Sequence, residues 1–192
     1  MARKEIVSNA SEQLILVDDH DREIGYKGKA DCHTGKGVLH RAFSIFVFNG
    51  RHELLLQQRS PSKMLWPGYW SNTCCSHPRR GEDMADAVTR RLKQELGFTC
   101  TLEYLYKFKY QAQFGAVGAE HELCSVYFGR YDGPVDDVNV TEIAAWRFVG
   151  VAALEAELKR APETFTPWFK MEWVHIKANY LDGMLAGTGT DG

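Results

Sequence analysis

The sequence carries no surplus of positive charge: 23 Lys and Arg stand against 25 Asp and Glu over 192 residues, a net charge of −2. Proteins that bind the phosphate backbone of nucleic acids do so with an excess of cations, so no nucleic-acid partner is expected. No stretch approaches the roughly 20 apolar residues that cross a bilayer, and the opening charges are not followed by an apolar segment. No membrane partner and a cytoplasmic location are therefore expected. Cysteine is scarce: five residues, at 32, 74, 75, 100 and 124, with no CxxC spacing. An odd and scattered set excludes a disulfide framework and a zinc ribbon, and leaves the thiols reduced. Internal repeats and linkers are absent as well. The length exceeds one typical domain and falls short of two, while a hydrophobic content of 44% suffices to bury a core. One globular domain follows.

Against these absences stand three pairs of metal-ligating residues. His33 and His40 are seven apart, Cys75 and His77 two apart, and Glu120 and Glu122 two apart. Side chains two apart on a strand point to one face, so Cys75 joins His77 and Glu120 joins Glu122. A single His or Glu is most often a surface or hydrogen-bonded core residue, but several at strand spacing point to a metal site with a thiol beside it. Imidazoles with carboxylates suit zinc, manganese or magnesium.

Strands are expected at 14–18, 41–48 and 53–58, with Asn49-Gly50 between the last two as a hairpin signal, and again at 102–110, 123–131 and 144–148. Between Gly81 and Gly97 the period changes. Ala85, Val88, Leu92 and Leu96 recur at helical steps, with Gly97 at the C-terminal end and Arg91 and Glu95 neighbours on the other face. Residues 154–160 form a short helix. Thr166 as N-cap and Pro167 at the first helical position open another, through about 181, crowded with Trp168, Phe169, Trp173, Ile176 and Tyr180. The class is α/β, or α+β if the sheet is mixed.

Residues 76–98 resemble a degenerate Nudix box, G-x5-E-x7-R-E-U-x-E-E-x-G-U, where U is a bulky aliphatic residue. Glu82, Arg90, Leu92, Glu95 and Gly97 fall at matching positions; Ser76 replaces the first glycine, Arg91 and Gln94 replace two acids, and Phe98 takes the last apolar place. The missing acids gather metals in the hydrolases of that superfamily, so hydrolysis is disfavoured. Together with Asn72-Thr-Cys-Cys-Ser-His-Pro78, the His33/His40 and Glu120/Glu122 pairs and Ser60-Pro-Ser-Lys63-Met-Leu-Trp-Pro-Gly68, the chain resembles the type I isopentenyl-diphosphate delta-isomerases over residues 29 to about 170. The resemblance implies a Nudix-like mixed sheet with flanking helices: one unit over 1–186, with a core at about 30–150, a helical part at 151–186 and a disordered tail at 187–192. It implies interconversion of isopentenyl and dimethylallyl diphosphates, an isoprenoid diphosphate as small-molecule partner, and proton transfer by Cys75 and Glu122 with Tyr110 assisting. It gives a divalent metal (manganese, zinc or magnesium) to His33, His40, His77, Glu120 and Glu122. Lys29, Arg59, Lys63 and Arg91 would bind the diphosphate, Glu95 a magnesium ion bridging its phosphates, and Trp168 a carbocation on its π face. Two rival readings are a Nudix hydrolase of a nucleotide derivative and a non-enzymatic metal-binding domain. None of these features encodes an oligomeric state.

Overall fold

The computed structural model describes residues 4–186, so the tail at 187–192 lies outside the described residues. Nine strands form one mixed sheet. In chain order the elements are β1 (Gln13–Val17), β2 (Glu23–Gly28), α1 (Lys29–Cys32), β3 (His40–Phe48), β4 (Glu53–Arg59), β5 (Trp70–Ser71), β6 (Cys74–Ser76) and α2 (Met84–Leu96). There follow β7 (Leu102–Phe114), β8 (Gly118–Arg130), β9 (Ile143–Gly150), α3 (Val151–Arg160), α4 (Pro167–Asn179) and α5 (Leu181–Ala186).

Strand β3 is central and buried on both faces, which is why it reads as a continuous apolar run rather than an alternation. Phe43, Ile45 and Val47 pack beneath α2 with Val88, Leu92 and Leu96. Ala42, Phe46 and Phe48 face the opposite layer with Leu154, Trp168, Phe169, Trp173 and Ile176. Cys74 belongs to the first cluster, and Cys75 packs against the second, so adjacent cysteines point to opposite sides of the sheet. Strand β3 pairs in parallel with β8 over nine residues, His40 opposite Glu122 through Phe48 opposite Arg130, and antiparallel with β6, Ser44 opposite Cys75. The sheet is thus mixed, with α2 on one face and α3, α4 and α5 on the other.

Several local expectations are corrected. Asn49-Gly50 does lie in the turn between two antiparallel strands, but the contact is brief: four residues join β3 to β4, and the strands share one pair, Phe48 with Leu54. The Asn49 side chain builds this loop by accepting from the backbone N–H groups of Arg51 and Glu53 at 3.0 and 2.9 Å. Thr166 does occupy the N-cap position of α4, but its hydroxyl bonds Ser71 Oγ at 2.9 Å instead of capping the helix. The helix stops at Asn179 and restarts at Leu181. In α2 the polar and apolar faces differ from the periodic pattern: Ala85 is exposed, whereas Arg91 and Glu95 are buried with Ala87. The physical reason is pairing, because each charge on that face has a partner. Strand β2 goes unannounced in the sequence, since it is largely exposed and carries few apolar residues.

Candidate active site

Three strands place one row of side chains. Tyr110 on β7 lies directly opposite Glu122 on β8, and Glu122 directly opposite His40 on β3. Tyr110 Oη donates to Glu122 Oε2 at 2.7 Å. Glu122 Oε1 lies 2.9 Å from His77 Nε2, just beyond β6, and 3.7 Å from His40 Nε2. Glu120, two residues earlier on the same face, meets His33 Nε2 at 2.8 Å. His33 sits at the end of the short helix α1, and its carbonyl accepts from Ala119 N at 2.9 Å. Gly118 permits that approach, because a Cβ there would stand 2.2 Å from His33 O.

The donor set fits a divalent ion. One ligand atom from each of His33, His40, His77, Glu120 and Glu122 lies within 4.8 Å of all the others. His33 and His40 each contact a backbone carbonyl through Nδ1, that of Lys29 and of Val38, both at 2.6 Å. A neutral ring that donates from Nδ1 carries its lone pair on Nε2, the atom aimed at the cluster; at His33 the Glu120 charge and hydrogen bond outweigh burial and raise the ring above its ordinary value, so it gives up that proton when it ligates a metal. His40 Nε2 is buried with no hydrogen-bond partner. Without a cation, burial and the neighbouring His33 pull the His40 ring down to about 4. Burial and the adjacent His40 and Lys29 push His77 well below its ordinary value. Neutral imidazoles are the form that ligates a metal.

The two carboxyls diverge. Burial raises Glu120, but the His33 charge and hydrogen bond outweigh it and hold the carboxyl at about 2. Burial and the Glu120 charge push Glu122 well above the usual carboxylate range. One environment thus keeps a carboxylate and the other a proton, the separation of roles that acid–base sites exploit.

Of these groups His33, His77, Glu120 and Glu122 line a cavity of about 530 Å³, together with Cys75, Arg59, Trp168, Lys29, Lys63 and Arg91; His40 and Tyr110 stand behind them. Burial pushes the Cys75 thiol up to about 12 against the opposing pull of Arg59, whose Nη1 lies 3.9 Å from Sγ. The Arg59 guanidinium is fixed by the carbonyls of Leu65 and Trp66 and stacks 5.2 Å from the Trp168 ring. Trp168 lines the cavity and donates through Nε1 to Ser71 Oγ at 3.1 Å, and its ring lies 5.2 Å from that of Trp66 and 6.3 Å from that of Tyr110. At the other end Arg91 donates to Glu95 Oε1 and, through Nη1, to Val7 O at 2.8 Å. Burial, Lys63 and Arg91 together pull Lys29 down to about 8. Glu95 does not line the cavity, whereas Glu142, which nothing in the local sequence singles out, does. No spacing partner flags Glu142, and the N-terminal wall formed by Ile6, Ser8, Asn9 and Ala10 is equally silent in the sequence.

His40→Ala tests the cluster directly. Loss of a hydrogen-bond partner of a ligand alone typically weakens metal binding about 10–100-fold, so loss of a ligand itself should lower affinity at least that much, read as bound metal per chain after dialysis. Full occupancy in the variant would remove His40 from the ligand set. His20, His52, His121 and His175 lie outside the cluster, and their replacement should leave occupancy intact.

A mixed sheet between helices, an α2 that follows strand β6 and ends at a left-handed Gly97 (φ 81°), and Arg91 of that helix lining the cavity accompany a match of residues 38–169 to the NUDIX domain family, to which the chain belongs. A Deinococcus radiodurans protein, DR0079, shares this fold with a TM-score of 0.64 at 23% identity, covering 78% of this chain and 90% of that one. Within the NUDIX fold the chain belongs to the isopentenyl-diphosphate delta-isomerase family. It is 43% identical over 173 residues to the isopentenyl-diphosphate Delta-isomerase 1 of Photorhabdus laumondii, covering 89% of this chain and 98% of the relative. It is 48% identical over 158 residues to the isopentenyl-diphosphate Delta-isomerase of Burkholderia multivorans, covering 82% and 89%. Among the described residues no helix is long and apolar enough to cross a membrane.

Proposed function

We propose that this protein interconverts isopentenyl diphosphate and dimethylallyl diphosphate by adding a proton to one carbon of the alkene and removing one from another. The observation that carries the reading is the meeting of Cys75 and Glu122, which Tyr110 holds by a hydrogen bond, in one cavity lined also by His33, His77 and Glu120 of the candidate metal cluster and by Lys29, Arg59, Lys63 and Arg91. An unactivated alkene is a poor base and its protonation leaves a tertiary carbocation, so the reaction needs two proton-transfer groups and exclusion of water. Cys75 and Glu122 are those groups, one entering with its proton and giving it to the alkene, the other entering without one and taking the proton removed from the carbocation. Tyr110 fixes one Glu122 oxygen by its hydrogen bond, and burial keeps the phenol protonated as a donor.

His33, His40, His77, Glu120 and Glu122 would hold a divalent ion, whether manganese, zinc or magnesium, which would supply fixed positive charge and make the Glu122 carboxyl a stronger acid. Arg59, Lys29, Lys63 and Arg91 hold the diphosphate, guanidinium groups being suited to two phosphate oxygens at once. Glu95 supports this end by fixing Arg91. The apolar wall of Met64, Leu65 and Trp168 encloses the hydrocarbon part and excludes water.

The reaction class is read in heavy water. With isopentenyl diphosphate and magnesium, the protein is expected to yield dimethylallyl diphosphate carrying carbon-bound deuterium, seen by NMR, without release of phosphate. Hydrolysis cleaves a phosphorus–oxygen bond and leaves carbon-bound hydrogen untouched. Phosphate release without deuterium uptake would assign the chain to the hydrolases, and neither signal from metal-loaded protein would assign it to the binding domains.

Trp168 gives a second, graded test. A desolvated cation over an aromatic face gains about 0.5–2 kcal/mol. Trp168→Phe keeps a weaker ring and is expected to retain several-fold more turnover than Trp168→Leu, which keeps only bulk. Equal turnover in the two variants, at equal thermal stability, would reduce Trp168 to packing.

A further inference from the structure

Glu172 is 1% exposed and lies off the cavity, one helical turn beyond Trp168 on the same side of α4. Its Oε1 lies 3.7 Å from Cys124 Sγ, and its Oε2 is buried with no hydrogen-bond partner. Cys124 Sγ also lies 3.5 Å from Ser44 Oγ. A thiol has one proton, so it serves one of these two acceptors at a time. Ser44 stands directly opposite Cys75 on the β3–β6 ladder, and directly opposite side chains share a face with Cβ atoms about 4.5–5.5 Å apart. The Ser44 hydroxyl therefore neighbours both Cys75 and the Cys124–Glu172 pair.

Among the described residues no cation pairs with this carboxyl. The groups that face it are Ser44 from β3, Cys124 from β8 and Tyr106 from β7, whose Oη donates to the Glu172 carbonyl at 3.4 Å, with Glu122 further along β8. Burial pushes the Glu172 carboxyl up to about 8 against hydrogen bonds from Ser44 and Cys124, so it holds its proton at neutral pH. A protonated carboxyl donates one hydrogen bond, whereas an ionised one only accepts. That difference decides where the Ser44 proton points. With Glu172 uncharged, its O–H supplies Ser44 Oγ and leaves the Ser44 hydroxyl free to donate to Cys75 Sγ, which favours the thiolate that Cys75 carries at one stage of proton transfer. With Glu172 charged, the carboxylate draws the Ser44 proton to itself, because a charge-assisted hydrogen bond is roughly twice as strong as a neutral one. Cys75 then loses its donor.

We infer that Glu172 is a positioning residue of the isomerisation: uncharged, it leaves the Ser44 hydroxyl to Cys75, and charged, it takes that hydroxyl away. The inference rests on the proposed function in giving Cys75 a proton to transfer.

The test is turnover of isopentenyl diphosphate at saturating substrate and metal, followed from neutral to alkaline pH. The wild type is expected to lose turnover above about 8 by loss of one proton. Lys29 is also pulled down to about 8, but it acts on diphosphate binding and is read in KM, not in turnover at saturation. Glu172→Gln, whose amide still donates and carries no charge, should keep neutral-pH turnover within a few-fold and hold it through the alkaline range. Ser44→Ala should lower neutral-pH turnover by about tenfold, as loss of a hydrogen bond to a charged group does, and should flatten the same alkaline fall. An alkaline fall as steep in Glu172→Gln as in the wild type overturns the inference, and so does a wild-type rate that stays level. Loss of neutral-pH turnover in Glu172→Gln together with a lower unfolding temperature makes Glu172 a brace of α4 and overturns it too. Wild-type protein that forms no dimethylallyl diphosphate at any pH removes the proposed function, an outcome distinct from product formation with an unaltered profile.

Discussion

Cys75→Ser is expected to lower turnover by about 10²–10⁴-fold, the range general acid–base groups contribute, while Cys74→Ser keeps it within a few-fold. The two side chains differ by one residue and by one face of the sheet. Cys75 lines the cavity beside Arg59, directly across from Ser44 on β3, whereas Cys74 is fully buried beneath α2 with Phe43 and Leu92. A serine at 75 fills the same space but holds its proton far more tightly than a thiol, so the loss falls on turnover and not on folding. A serine at 74 places a hydroxyl in an apolar cluster, a cost of about 1–3 kcal/mol that appears in thermal stability. Steady-state turnover and unfolding curves on both variants separate these outcomes. Equal losses of turnover at the two positions would contradict the assignment of Cys75 to the chemistry.

Much of the fold is legible in the chain because burial leaves a periodic trace. The β3 run reads as a strand since both its faces are covered, and the helical recurrence of Val88, Leu92 and Leu96 ends where Gly97 takes a left-handed conformation. The pattern fails where burial is polar. Arg91 and Glu95 carry charge and so read as a solvated face, yet both are buried because Glu142, Val7 O and each other satisfy them. An amphipathic pattern assumes that charges seek water, and that holds only while no partner is offered inside. The site divides in the same way. Pairs two apart, Cys75 with His77 and Glu120 with Glu122, are visible because a strand turns spacing into direction. The convergence of His40 with Glu122 depends on parallel pairing between β3 and β8, which are 82 residues apart at that rung, and no local spacing reports it. Glu142 is invisible for a related reason: its partners Lys63 and Arg91 come from distant segments.

Glu122→Gln is expected to abolish deuterium incorporation, by about 10³-fold or more, while inorganic diphosphate still binds within a few-fold of the wild type. The amide keeps the size of the carboxyl and a carbonyl that accepts from Tyr110 Oη, but it cannot take up and release a proton. Its cations lie elsewhere in the cavity, so the diphosphate end is left intact. The substitution also removes a charged ligand from the metal cluster, and Glu120→Gln resolves that ambiguity. Glu120 is the carboxyl held down at about 2 by His33, and Glu122 the one pushed well above its ordinary value by burial and by Glu120. Loss of Glu120 charge should weaken metal binding and be repaired by excess metal, because Glu120 holds no proton for the reaction. Loss of Glu122 should not be repaired by metal at any concentration. If excess metal restored deuterium uptake to Glu122→Gln as fully as to Glu120→Gln, Glu122 would be a ligand alone, and the proton would have to pass through Cys75 and Tyr110.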